Sequence, residues 1–146
     1  MGYLVWHLSL RWQLQLSREL APLGITHADY GLLASLRGLA HAGIRPSQRE
    51  LADASGLEPM YVSKLARALA ERGLVDRSTH PDDPRAVQIS LTEAGTETVT
   101  AAQAIVRRLD HARLDALGGH DSDRAAELRE ALHILLADAR TPPARP

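Results

Sequence analysis

The sequence has no cysteine and no phenylalanine, one lysine (Lys64), and a net charge of −1 over 146 residues. Without cysteine there are no disulfides, no thiolate metal sites and no thiol-based redox sensor. The balanced charge gives no global attraction to nucleic acid, so a polyanionic partner must be met by positive charge placed locally. No apolar run approaches the roughly 20 residues of a membrane span. The opening segment lacks a basic region, and His7 and Arg11 interrupt its apolar stretch, so no signal peptide is expected. Trp6 stands where a myristoylation signal needs Ser or Thr. The cytoplasm is therefore the expected location. Patterns of the common enzymes are missing too: there is no Gly-x-Ser-x-Gly elbow, phosphate loop or His-Glu-x-x-His. No catalytic residue and no cofactor is expected. The seven histidines fall at no close metal-ligand spacing, which argues against a metal.

What remains is an ordinary soluble composition, 45% hydrophobic and 24% charged, in a chain long enough to bury a core. Residues 2 to about 20 carry leucines at alternate positions, a strand-like pattern. Their Leu, Gln, Arg and Glu content and scarcity of β-branched residues favour a helix ending near Pro22 and Gly24. Thr26-x-x-Asp29 resembles a capping box and opens a second helix, which Gly43 closes. Ser47-x-x-Glu50 is a regular capping box for a short helix over 48–54. After the break at Ser55-Gly56-Leu57, Pro59 suits the first turn of a helix running to Gly73. From Val75 the apolar period becomes two. Val75 to Thr79 and Val87 to Leu91 predict a hairpin around the turn-rich His80-Pro81-Asp82-Asp83-Pro84 tip. Thr92 is a good cap for a long helix that breaks at Gly118-Gly119, and a last helix spans about 122–139. The tail 141–146 is expected to be flexible.

The order of helix, short helix, sharp turn, helix and hairpin predicts a mainly α fold with a small β-hairpin wing, a winged helix–turn–helix. Two helices meeting steeply need a small residue at their approach, a Gly at the turn and a branched residue to lock the second helix. Ala52, Gly56 and Val62 stand at that spacing. With Val62, Leu65 and Leu69 inward, the other face of the second helix shows Met60, Tyr61, Ser63, Lys64 and Arg67. Such a face fits the DNA major groove, although the same cations would also suit a plain solvated helix. Arg85, entering the return strand, could reach a minor groove, with Asp83 holding its guanidinium. An ordinary turn with a weak exposed ion pair remains open for these two.

Arg49-Glu-Leu-Ala52, Val62-Ser-Lys-Leu65, Leu69-Ala-Glu-Arg-Gly-Leu-Val75-Asp-Arg77 and Asp83-Pro-Arg85-Ala-Val-Gln-Ile-Ser-Leu-Thr92-Glu-Ala-Gly95 resemble the MarR family of bacterial regulators. The resemblance implies a homodimer with a helical dimerisation region (1–24 and 93–140) and a DNA-binding domain (25–92). It further implies that the helix over 58–73 enters the major groove and Arg85 the minor groove, with Asp83 orienting Arg77 or Arg85. Ser47, Arg49, Met60, Tyr61, Ser63, Lys64, Arg67, Arg77, Asp83 and Arg85 are the expected DNA-contacting set. A small aromatic or anionic effector is expected near Trp6, His7, Arg11, Trp12, His27 and Tyr30, although Trp6 and Trp12 suit a dimer core equally. Residues 37–91 hold eight Arg or Lys against seven Asp or Glu. That balance departs from a strongly basic reader and predicts a modest salt dependence. The expected function is a repressor on a pseudo-palindromic operator, released by a small molecule. The alternative is a winged-helix protein-interaction module with little DNA binding.

Overall fold

In the computed structural model, residues 1–79 and 85–139 are described, the last two by backbone alone. Among the described residues, six α-helices and two strands follow in order: α1 (Gly2–Leu20), α2 (His27–His41), α3 (Gln48–Ser55), α4 (Pro59–Glu71), β1 (Val75–Thr79), β2 (Val87–Leu91), α5 (Glu93–Leu114) and α6 (Asp123–Ala139). The mainly helical winged helix–turn–helix read from the sequence is the fold observed. The expectations for Pro81, Asp83, Pro84 and the 141–146 tail lie outside the described residues.

Both capping boxes form. Asp29 N–H donates to Thr26 Oγ1 at 3.1 Å, and Thr26 N–H donates to Asp29 Oδ2 at 2.9 Å. Ser47 and Glu50 do the same for α3 at 3.3 and 2.7 Å. Each box satisfies two donors that a helix start would otherwise leave open. The α3–α4 turn is made at Gly56, whose φ of +68° is a left-handed conformation that a side chain would strain. Pro59 follows in the first turn of α4.

β1 and β2 pair antiparallel, with Val75 opposite Leu91 and Thr79 opposite Val87. A third segment joins the far edge of β2. Ile89 N–H donates to Pro46 O at 3.0 Å, Gln88 Nε2 donates to Arg45 O at 3.1 Å, and Ser47 bridges Gln88. The connector before α3 thus pins the hairpin base to the helix–turn–helix.

The chain divides into two compact units, Met1–Ile105 and the residues from Val106 onward. In the first, Leu20, Leu32, Leu33, Leu36, Leu51, Val62, Leu69, Ile89 and Val99 are buried. These side chains come from α1, α2, α3, α4, β2 and α5, so one core fixes how α4 is presented. In the second, Leu109 and Ala125 are buried, and Ser122 Oγ caps α6 by accepting from Ala125 N–H at 3.2 Å. There His111 and His120 stack at 4.3 Å between ring centroids.

α1 is helical in spite of its strand-like alternation. Only its C-terminal part is covered, through Leu16 and Leu20, whereas Tyr3, Leu4, Trp6, Leu8, Leu10 and Leu14 are exposed. On α6, Leu128, Leu132, Ile134, Leu135 and Leu136 are exposed as well. No described helix is long and apolar enough to cross a membrane.

Candidate nucleic-acid interface

The burial of Val62, Ala66 and Leu69 fixes the rotation of α4 about its axis. At about 100° per residue, Met60, Lys64, Arg67 and Glu71 then fall opposite that buried stripe. Met60 is 87% exposed, and Lys64 and Arg67 are exposed too. Met60, Ser63, Lys64, Arg67, Ala68 and Glu71 line a shallow, open depression of about 410 Å³ on this one helix. Four of the five α4 residues read from the sequence therefore share one surface. Tyr61 is 43% exposed but lies outside that lining, on the flank of the helix.

The other expected contact residues fall on two elements nearby in sequence. Arg49 is exposed in the first turn of α3, and Ser47 caps that helix with its hydroxyl oxygen already accepting from Glu50 N–H. Arg77 is exposed on β1, and Arg85 is exposed in the turn leading into β2. Asp83 lies outside the described residues, so its pairing with Arg77 or Arg85 has no geometry here.

A second device holds the far end of α4. Thr92 Oγ1 donates to Gly73 O at 2.7 Å and accepts from Gly95 N–H at 3.0 Å, while Thr92 N–H donates to Leu74 O at 3.2 Å. This explains physically why Thr92 and Gly95 stand three residues apart after Leu91. Thr92 caps α5 and at the same time ties it to the chain leaving α4. Gly95 lets the α5 backbone lie against Leu74 O, where a Cβ would be 1.9 Å from that oxygen.

On the other side, Arg72 Nη1 donates to Asp29 Oδ2 at 3.2 Å, and Arg72 Nη2 donates to Gly24 O. The sequence reading missed Glu71 and this Arg72–Asp29 pair. Glu71 was within reach of the same periodicity, one turn beyond Arg67. The pair was not, because 43 residues separate its members.

Of the expected effector residues, Trp6 and His7 are in ring contact at 4.8 Å, and Tyr3 joins them through His7 at 4.2 Å. His27 Nδ1 and Ser17 Oγ lie 2.8 Å apart, linking the start of α2 to α1. Trp12 and Tyr30 are half-buried and Arg11 is exposed. Among the described residues, no cluster of three or more His, Cys, Asp or Glu could hold a metal.

The fold and the exposed face of α4 define a winged helix–turn–helix protein. A sequence model described as the MarR family matches residues 25–87. YdcH, an uncharacterized HTH-type transcriptional regulator of Bacillus subtilis (strain 168), is 39% identical over 111 residues, 76% of this chain and 76% of its own length. The transcriptional repressor CouR, solved with a 23-mer DNA duplex, is 28% identical with a TM-score of 0.76, covering 97% of this chain and 92% of CouR. MepR of S. aureus, solved as a DNA complex, reaches a TM-score of 0.83 over 95% of this chain and 97% of its own. At 23% identity that likeness concerns the fold. The chain belongs to the MarR family of transcriptional regulators.

Proposed function

We propose that the chain is a homodimeric, sequence-specific DNA-binding repressor that reads a pseudo-palindromic operator with α4. The observation that carries this reading is the exposed face of α4, where Met60, Ser63, Lys64 and Arg67 stand together because Val62, Ala66 and Leu69 are buried behind them. A helix with its side chains is about 10–12 Å across and fits a major groove about 12 Å wide. Lys64 acts as a point charge toward phosphate. Arg67 presents a planar fork suited to the O6 and N7 of guanine. Tyr61 and Arg49 contact the flanks, Ser47 positions α3, and Arg77 with Arg85 carries the wing toward the minor groove, Asp83 orienting one of them. The likeness to CouR, a repressor solved with a DNA duplex, at 28% identity supports the binding of DNA.

In this reading, residues 1–24 and 93–140 form the dimerisation region and 25–92 the DNA-binding domain. The exposed apolar side chains of α1 and those of α6 support a second copy as their cover, since large apolar side chains left at a surface favour interfaces. A small aromatic or anionic effector would bind near Trp6, His7, Arg11, Trp12, His27 and Tyr30 and release the operator.

A mobility-shift titration with the region upstream of its own gene tests the reading. The expected result is saturable binding that weakens with Lys64→Ala and with Arg85→Ala. Equal affinity for random duplex at every salt concentration would overturn it. Dimerisation without DNA affinity at low salt would favour the protein-interaction alternative, which the near-even charge of residues 37–91 motivates and the exposed Glu71 on α4 supports.

A further inference from the structure

Asp29 is a buried acidic residue, 5% exposed, in a chain whose other charges mostly face solvent. Its carboxylate does two things at once. Oδ2 accepts from Thr26 N–H in the α2 cap and from Arg72 Nη1 at 3.2 Å. Arg72 is the residue that ends α4, and its other terminal nitrogen donates to Gly24 O in the turn between α1 and α2. One guanidinium thus grips both sides of that turn. The turn is itself tied to α1, because Ser17 Oγ meets His27 Nδ1 at 2.8 Å and accepts from His27 N–H at 3.3 Å. On the opposite side, the chain leaving α4 is held to α5 by neutral hydrogen bonds from Thr92.

We propose that Arg72 and Asp29 are a positioning pair that fixes the C-terminal end of α4 to the α1–α2 turn, so that the state of this turn sets the angle at which α4 is presented. The inference rests on the DNA-reading role of α4 proposed above. A planar fork with two separated donors reaches Asp29 and Gly24 O together, which an ammonium group does not do. The carboxylate is buried and held by the cap, so it has no other position to offer. Displacing the turn therefore moves or releases the end of α4. Phosphate contacts by flexible cations tolerate a small change of helix angle, whereas base-edge contacts do not. The pair therefore acts on discrimination between sequences more than on attraction to DNA.

The test uses the full chain, a duplex enriched from a random library by the wild-type protein, and a random duplex of equal length. Asp29→Asn keeps the capping oxygen and removes the charge. Arg72→Gln removes the charge at similar length. Each is expected to weaken binding to the enriched duplex about tenfold, with less than about twofold change on the random duplex. The double variant should bind no worse than the weaker single variant, as expected of two residues acting through one contact. Arg72→Lys should fall between wild type and Arg72→Gln. Lower melting temperatures with an unchanged ratio between the two duplexes would overturn the proposal, as would effects that multiply in the double variant. Equal loss on both duplexes for Arg72→Gln alone would show Arg72 to be a phosphate contact. If the wild-type chain enriches no duplex, the DNA reading fails, and amide exchange decides the pair separately. Faster exchange at residues 70–74 in Asp29→Asn supports the clamp, and unchanged exchange there overturns it.

Discussion

At Gly95 a side chain has no room, since its Cβ would sit 1.9 Å from the carbonyl oxygen of Leu74. Gly95→Ala must push α5 away from the chain leaving α4, and overpacking of this kind costs about 1–3 kcal/mol. Thermal unfolding should show the loss, and an unchanged melting temperature would refute the close approach. Asp110 gives a pH-dependent counterpart. Burial raises its carboxyl above the ordinary value of 3.8, against the lowering influence of His111, His120 and Arg113. A raised folded-state value means the protonated form is favoured on folding, so this contribution is present below about 3.8 and is lost as pH rises through the raised value. Asp110→Asn is therefore expected to be more stable than wild type in denaturant unfolding at neutral pH, with the gap closing in acid. Asp121 behaves oppositely, because its hydrogen bond from His120 lowers its value. At this scale the sequence was least informative. Thr92 and Gly95 could be read as a motif, but the oxygen that makes glycine necessary there belongs to Leu74. The Arg72–Asp29 contact likewise depends on α2 and α4 being packed together.

Among the elements, α4 was the most legible and α1 the most ambiguous. The capping box of α3, Gly56, Pro59 and the apolar stripe through Val62 and Leu69 each demand the same geometry from a different physical cause, so they reinforce one another. In α1, leucine on alternate positions produced a pattern shared by strand and helix. Its helical propensity decided the outcome, and the exposed Leu8, Leu10 and Leu14 show why the pattern was unclear. The expected position of Lys64 on α4 makes a prediction at this scale. Lys64→Ala should reduce the salt slope of DNA binding by about one and weaken all sequences similarly, as for a phosphate contact. Arg67→Ala should instead narrow the gap between preferred and random duplex. Titrations at several salt concentrations separate the two.

For the whole molecule, charge and apolar surface lead to different expectations. Eight cations against seven anions over residues 37–91 leave little net field, so the DNA binding proposed here would depend on the placement of Lys64, Arg67, Arg77 and Arg85. Exposed apolar side chains recur along both α1 (Tyr3, Leu4, Trp6, Leu8) and α6 (Leu128, Leu132, Leu135), residue types suited to a packed interface. Charged substitutions there, Trp6→Arg on α1 and Leu132→Arg on α6, are expected to convert a dimer to monomer in light scattering coupled to size exclusion. Because two helices reading one face of a duplex sit about one helical turn apart, the monomeric variants should also lose operator binding. Retained dimer in both variants would remove these faces from the interface.

In the proposed function, a few placed cations on α4 and the wing read DNA sequence in a chain whose net charge is only −1. The most direct measurement is the ratio of affinities for an enriched duplex and a random duplex of equal length, titrated across salt. A ratio of about 10³ or more with a shallow salt slope is expected, with a steep fall in that ratio for Arg67→Ala. A ratio near one for the wild-type chain at every salt concentration would contradict it.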